Sequence, residues 1–409
     1  MSPDHAPRAG LSRRRLIQGT AAAVTLGVGG TGVGLLTQLG ESRDETLFTP
    51  RADRPVFGML QAESSMYDEL KAAGVAAVAV SVSWSQAQPA DGDLDAGYLD
   101  QVVEELNAAD AAGLYVSLSP GLQYPPEWVK GLPDSRFVDQ QGVAWAGPVG
   151  DDIVDGVFNL SVRDTQQRYL EALGVRLGDL HPAAVRIGGL GRGELHYPPV
   201  DRSGARDTFW AYSVPAQEQC PVPGYRPGQG SPDDASTFLE WYLDALRDYG
   251  RWQVDLVREH FGSRPRLLVL LPSWGVRPGE IDAAVAAGLD GSTSGQQRGT
   301  LAEGVDWERQ LVGLAGVDGV DACTTWLDAR DQGADPADES PVHFLSRMAS
   351  RNGFDVWAEN TGDNTAKDMA RCVGLVRGLG LRGLFWMSAD RLGRDGNARL
   401  SDYRGLVHE

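Results

Sequence analysis

Cysteine is scarce in this sequence, with three residues in 409. So few exclude a disulfide-built scaffold and a structural zinc ribbon, both of which need sulfur at close, regular spacing. Histidine is nearly as sparse at six, and none falls in a His-x-His or His-Glu-x-x-His pattern, so a metal-dependent hydrolase is not expected. Positive charge is short as well. Lys and Arg number 37 against 56 Asp and Glu, a net charge of −19. That balance excludes a basic stripe for nucleic acid and works against adsorption to an anionic membrane. No Gly-x-Gly-x-x-Gly follows the first β-rich run, which argues against a dinucleotide-binding sheet. Nothing points to a nucleotide, flavin or pyridoxal cofactor, and the expectation is none.

Hydrophobic residues make up 42% of the chain, enough to exclude wholesale disorder and to fill a large core. The 51 Gly and 23 Pro suit a fold with many turns. The first 44 residues differ from the rest. Ser12-Arg13-Arg14-Arg15-Leu16-Ile17-Gln18 precedes an uncharged stretch from Gly19 to Gly40, which resembles a twin-arginine export signal. Its Gly and Thr content makes it a poor permanent membrane span. Residues 1–44 carry a net +2, leaving −21 on the remaining 365. The expected organisation is therefore an export signal and linker over 1–44, then one domain over 45–409. The destination is extracellular or cell-envelope associated. The sequence does not fix the oligomeric state or a pairing among Cys220, Cys323 and Cys372; lone buried thiols are the simpler reading.

Past the leader, short apolar runs alternate with amphipathic stretches. The runs are 56–60, 76–82, 114–118, 183–187, 267–271, 320–325, 354–358 and 381–387. Continuous Val, Ile, Leu and Ala read as strands covered on both faces, hence parallel. Eight strand–helix units of this regularity predict an α/β fold of the closed (β/α)8 TIM-barrel class. The surplus length sits at 123–159, 194–236 and 328–341, and long loops on a barrel belong to its catalytic face.

The residues just past each predicted strand are a biased set. Six of the eleven Trp stand there: Trp84, Trp128, Trp274, Trp326, Trp357 and Trp386. Large core residues collect on strands in any barrel. Aromatics mixed with carboxylates at one end also suit a sugar, whose C–H faces stack on indoles while its hydroxyls bind polar side chains. Candidate sugar contacts are Trp84, Gln123, Trp128, His196, Tyr197, Trp274, Trp326, Asn360 and Trp386. Two carboxylates stand out by position, Glu194 after the fourth strand and Glu359 closing the seventh. Terminal side chains of those strands face each other across a barrel mouth. Glycosidic cleavage needs such a pair, one acid to protonate the leaving oxygen and one carboxylate to attack the sugar or activate water.

These residues resemble the clan A glycoside hydrolases, which carry Glu after strands four and seven. Trp84-Ser85-Gln86-Ala87-Gln88-Pro89, with Asp91-Gly92-Asp93-Leu94-Asp95 and Tyr98-Leu99-Asp100 behind it, is similar to a signature of family 42 and family 35 β-galactosidases. So is Tyr124-Pro125-Pro126-Glu127-Trp128-Val129. The stretch Gly191-Arg192-Gly193-Glu194-Leu195-His196-Tyr197-Pro198 resembles the general-acid motif of family 14 β-amylases. The resemblance implies an exported glycoside hydrolase, with Glu194 as general acid (acid/base if retaining) and Glu359 as nucleophile or base. It implies a carbohydrate substrate, and no nucleic acid, metal or cofactor. The sequence departs from the clan pattern in three places. Gly193 stands where Asn usually precedes the acid, Gln88 where an acidic residue precedes Pro, and Trp326 where strand six commonly carries Tyr. The alternatives are an inverting β-amylase-like hydrolase of α-glucans and a catalytically silent carbohydrate-binding barrel.

Overall fold

The structure, a computed structural model, describes residues 54–178, 180–199, 208–292, 299–362, 365–394 and 396–407. The expected export signal over 1–44 lies outside the described residues. Eight strands close into a barrel in sequence order, every neighbouring pair parallel. They are β1 (Val56–Met59), β2 (Ala77–Ser81), β3 (Tyr115–Ser119), β4 (Ala184–Ile187), β5 (Arg266–Leu271), β6 (Val320–Thr324), β7 (Val356–Glu359) and β8 (Gly383–Trp386). Each lies within a residue or two of an apolar run read from the sequence, so the predicted barrel class holds.

Helices return the chain between strands: α1 (Tyr67–Ala72), α2 (Trp84–Ala87), α3 (Ala96–Ala111), α4 (Glu127–Lys130), α5 (Leu160–Leu177) and α6 (Val214–Gln219). They continue with α7 (Pro232–Phe261), α8 (Glu280–Ala286), α9 (Trp307–Val312), α10 (Pro341–Arg351), α11 (Ala366–Gly378) and α12 (Leu400–Val407). The longest, α7, starts on a capping box between Ser231 and Asp234 with Pro232 at its first position, a combination that satisfies orphan N–H groups at the helix start. Asn159 caps α5 in the same sense by accepting from the N–H groups of Ser161 and Val162. The short helices α2, α4, α6 and α12 were not expected; the first three are single turns or little more, set in loops beyond strands.

Strand side chains alternate between two cores. The larger core lies between strands and helices. The smaller one fills the barrel and comprises Val56, Ala77, Ala184, Leu268, Leu270, Cys323, Trp357 and Phe385. Charge enters this lumen in two layers, one near each end. Towards the strand starts, Arg266 on β5 holds Asp321 on β6, with Nε donating to Oδ2 at 2.6 Å. Trp357 Nε1 donates to that same oxygen at 2.9 Å. At the strand ends, Arg186 on β4 reaches Glu359 on β7. The apolar residues lie between these pairs, so neither buried charge lacks a partner. Cys220, Cys323 and Cys372 are buried and none is in a disulfide.

Two bulky lumen residues require glycine opposite them. A Cβ at Gly58 would lie 2.7 Å from the ring of Phe385, and one at Gly383 would lie 2.5 Å from Trp357. Gly58→Ala is therefore expected to destabilise the barrel by about 1–3 kcal/mol through overpacking. In urea unfolding, the double variant with Phe385→Leu should lose clearly less than the sum of the two single losses; strict additivity would rule out this contact as the cause.

Candidate active site

The three surplus loops leave the C-terminal ends of β3, β4 and β6, the face on which barrel enzymes carry their sites. Beyond β4 the chain folds into a tight turn. Gly189 N–H donates to the Gly193 carbonyl (3.1 Å), and Glu194 N–H to that of Gly191 (3.0 Å). Arg192 and Gly193 both take left-handed backbone conformations, with φ of 57° and 84°. A Cβ at position 193 would press to 3.3 Å from the Gln123 amide. Glycine before Glu194 is thus dictated by the turn and by the close approach of Gln123. The carboxyl of Glu194 is nearly buried, and His196 Nε2 lies 3.6 Å from Oε2. Both imidazole nitrogens face backbone carbonyls, Nδ1 that of Tyr197 (2.6 Å) and Nε2 that of Gly191 (3.1 Å), which fixes the ring.

Glu359 ends β7 and is held from both sides. Its carbonyl accepts from Leu327 N–H at 2.8 Å. The next residue, Asn360, accepts from Met387 N–H (2.6 Å) and donates to the Met387 carbonyl (3.0 Å), clamping the ends of β7 and β8 together. Asp328, beyond β6, accepts from the N–H and the hydroxyl of Thr361. Inside the mouth the Glu359 carboxylate is ion-paired with Arg186. The guanidinium also lies over the ring of Phe385 at 5.6 Å. Burial pulls the Arg186 pKa down, while Cys323 and the negative charge of Glu194 hold it up. One cation therefore acts on both candidate carboxylates. An adjacent guanidinium favours the ionised form of a carboxylate, so Glu359 is held as an anion.

The Glu194 side of the mouth has a third carboxylate. Glu303 lies in the turn before α9; its carbonyl accepts from Tyr197 N–H at 2.9 Å and its carboxylate from Ser273. Burial pushes Glu303 up to about 7, with Glu194 adding to the rise and His196, Arg192 and Ser273 opposing it. The two sides of the mouth thus differ in kind: an anion clamped by arginine, and a carboxyl pair gathered around one histidine.

The aromatic residues divide by strand parity and loop packing. Trp274 and Trp326 form an edge-to-face pair 6.1 Å apart beyond β5 and β6, and Trp326 keeps exposed surface. Trp128 is part-exposed and anchored by Nε1 to the Gln88 carbonyl at 3.1 Å. Gln123 lies beside the Glu194 turn. Three expected sugar contacts are corrected, since each has no exposed surface and sits in the outer core. Trp84 stacks on Tyr169 at 5.2 Å and donates to Gln88. Tyr197 stacks on Tyr242 at 4.1 Å and donates to its carbonyl. Trp386 faces the helices because its neighbour Phe385 takes the lumen side of β8. Trp357 fills the lumen. Asn360, 1% exposed, has its amide engaged by the Met387 backbone and acts as a clamp.

Two residues of this mouth were missed in the sequence. Arg186 looked like an interruption of an apolar run. Its signal was parity, because it shares the inward face of β4 with Ala184. Glu303 carried no local signal. Among the described residues no group of His, Cys, Asp and Glu is arranged to hold a metal ion, and no helix is long and apolar enough to cross a membrane.

Residues 61–147 match the family model of glycoside hydrolase family 42, described as beta-galactosidase. That stretch resembles the family 42 enzymes. It runs from the end of β1 through the loop carrying Trp128. A β-galactosidase, BgaB, of Geobacillus sp. is 35% identical over 89 residues, which is 20% of this chain and 13% of the relative's length. Among solved structures, the catalytic domain of a β-amylase from Paenibacillus polymyxa superposes with a TM-score of 0.62 at 18% identity, covering 87% of this chain and 98% of that one. A β-galactosidase from Marinomonas ef1 gives 0.58 at 15% identity, covering 86% and 59%. At these identities the structural likeness speaks for the barrel alone.

Asp155 is the other carboxyl set apart by burial. Part of the β3–α5 loop and without exposed surface, it accepts from Phe158 N–H and the Ser213 hydroxyl, yet burial still pushes it up to about 7. Both acids hold their protons more tightly folded than unfolded. The stability they contribute is complete below their ordinary values and is lost as pH rises towards 7. Each is worth on the order of 3–4 kcal/mol across that window. Thermal unfolding should therefore show a higher midpoint at pH 5 than at pH 8, and Glu303→Gln should flatten the difference. An unchanged slope in that variant would show that Glu303 does not titrate in this range.

Proposed function

We propose that this protein is a glycoside hydrolase in which Glu194 is the general acid and Glu359 the nucleophile, or the base if configuration inverts. The observation that carries this reading is the contrast between two carboxylates at one barrel mouth. Glycosidic cleavage needs one carboxyl protonated and one ionised at the same pH, and different surroundings create that split. Arg186 holds Glu359 as the anion. Glu194 instead lies nearly buried beside the fixed ring of His196 and the buried acid Glu303, and serves as the proton donor. In the forward step Glu194 gives its proton to the leaving oxygen as Glu359 closes on the anomeric carbon, or directs water to it. Trp274, Trp326, Trp128, Gln123 and His196 are the proposed sugar contacts. The match of residues 61–147 to a β-galactosidase family makes β-galactosides the first substrates to test.

A second reading, an inverting α-glucan hydrolase, draws on the Gly193-Glu194-Leu195-His196-Tyr197-Pro198 stretch. One set of assays separates them. On 4-nitrophenyl β-glycosides, led by the galactoside, Glu194→Gln and Glu359→Gln should each lower kcat at least ~10³-fold with the circular dichroism spectrum unchanged. Full activity in both variants would falsify the pair. NMR of the first-formed anomer distinguishes retention from inversion, and release of β-maltose from maltopentaose would favour the second reading. Binding without turnover across the panel would indicate the silent carbohydrate-binding barrel.

The leader over 1–44 supports export of the folded protein by the twin-arginine route, with an extracellular or envelope location. Replacing Arg13 and Arg14 together by Lys should leave the full-length protein in the cytoplasm when cell fractions are compared with wild type. Unchanged export would refute that route.

A further inference from the structure

Arg186 uses only part of its guanidinium. Nη2 is committed to Glu359, and the side chain as a whole is 8% exposed. Nη1 is buried and has no hydrogen-bond partner among the described residues. An unmet buried donor is costly and uncommon, and at a site it marks a place where a ligand completes the bonding. Arginine presents its N–H groups in a rigid planar fork, so Nη1 is fixed next to the nitrogen that orients Glu359.

The chemistry of the reaction says what lies at that place. On the reading given above, the Glu359 carboxylate addresses the anomeric carbon. The anomeric carbon is flanked by the ring oxygen and by the carbon that carries the 2-hydroxyl; the ring oxygen loses electron density as positive charge develops, which leaves the 2-hydroxyl as the acceptor for a donor fixed beside that carboxylate. Hydrogen bonds to the 2-hydroxyl strengthen in the transition state of glycoside cleavage. We propose that Arg186 Nη1 donates to the substrate 2-hydroxyl, so that one guanidinium both positions Glu359 and recognises the reacting sugar. The ring of Phe385 beneath it and the pairing with Glu359 hold the fork in register. The recognising donor thus comes from inside the fourth strand, below the turn that carries Glu194. The cation itself opposes positive charge developing on the sugar, and the two carboxylates flanking it offset that opposition.

This inference rests on the proposed role of Glu359, and the test separates the two. The probes are the 4-nitrophenyl glycoside turned over fastest by the wild type and its 2-deoxy counterpart, each rate divided by the uncatalysed hydrolysis of the same compound. The wild type should lose about 100-fold or more in kcat/KM on the 2-deoxy substrate, as expected where a site built to bond a hydroxyl meets an analogue lacking it. Arg186→Lys keeps a cation for Glu359 but has no second fixed donor. Its overall rate should fall, and its 2-deoxy penalty should shrink to below about 10-fold, a change that misplacement of Glu359 alone does not produce. An equal penalty in variant and wild type overturns the inference. So does a wild-type penalty under about 3-fold, which needs no variant to fold. Neither of those outcomes touches the role of Glu359, which stands or falls with Glu359→Gln; a wild type inactive on every glycoside overturns both.

Discussion

A cation from the fourth strand meets an anion from the seventh inside the barrel, and the mouth is organised by that encounter. Neither charge would be tolerable alone in so enclosed a place, since removing one partner of a buried pair leaves the other uncompensated at a cost of several kcal/mol. The pairing therefore constrains both strands. Arg186 must lie on the inward parity of β4, Glu359 must close β7, and Phe385 must lie beneath the guanidinium. The stitching around Glu359 serves the same end: Leu327, Asp328, Asn360 and Thr361 tie the loops after β6, β7 and β8 so that the carboxylate has little freedom to leave its partner.

Opposite this clamp the surroundings of Glu194 are of another kind. A turn in left-handed conformation brings the carboxyl in, a histidine anchored to two carbonyls stands beside it, and a third acid crowds the same space. Charge neutralisation governs one wall; on the other, burial pushes a single acid, Glu303, towards its protonated form. The asymmetry follows from the loops: the β4 turn is short and rich in glycine, and the β5–β6 connection is long enough to fold Glu303 back against it. The polar layer formed by Arg266 and Asp321 near the strand starts ties the opposite end of the barrel together.

The strands were legible because a parallel barrel covers both faces of each one, and continuous apolar runs have few other uses in a soluble chain. Glu359 drew attention because it stands directly beyond such a run, and Glu194 because it closes the glycine-rich turn that follows one. The remainder turned on parity and on contacts distant in sequence. Trp386 and Phe385 are neighbours in the chain, yet one packs under helices and the other fills the lumen; a one-residue difference in phase decides it, and the seven-residue run 381–387 does not display its phase. Trp84 looked like a rim residue because it follows β2, but the turn of α2 rotates it into the outer core. Arg186 was hidden by its apolar flanks. Glu303 reaches the site through tertiary packing of a turn whose local sequence says nothing about where it folds.

The cysteines described with the fold have a bearing on how the protein is made. All three are buried, and none is joined to another. The barrel is closed by backbone ladders and by packing, so no step of its maturation requires an oxidant or a thiol-exchange catalyst. Folding can reach completion under reducing conditions. With the thiols withdrawn from solvent, small-molecule oxidants have little sulfhydryl surface on which to act.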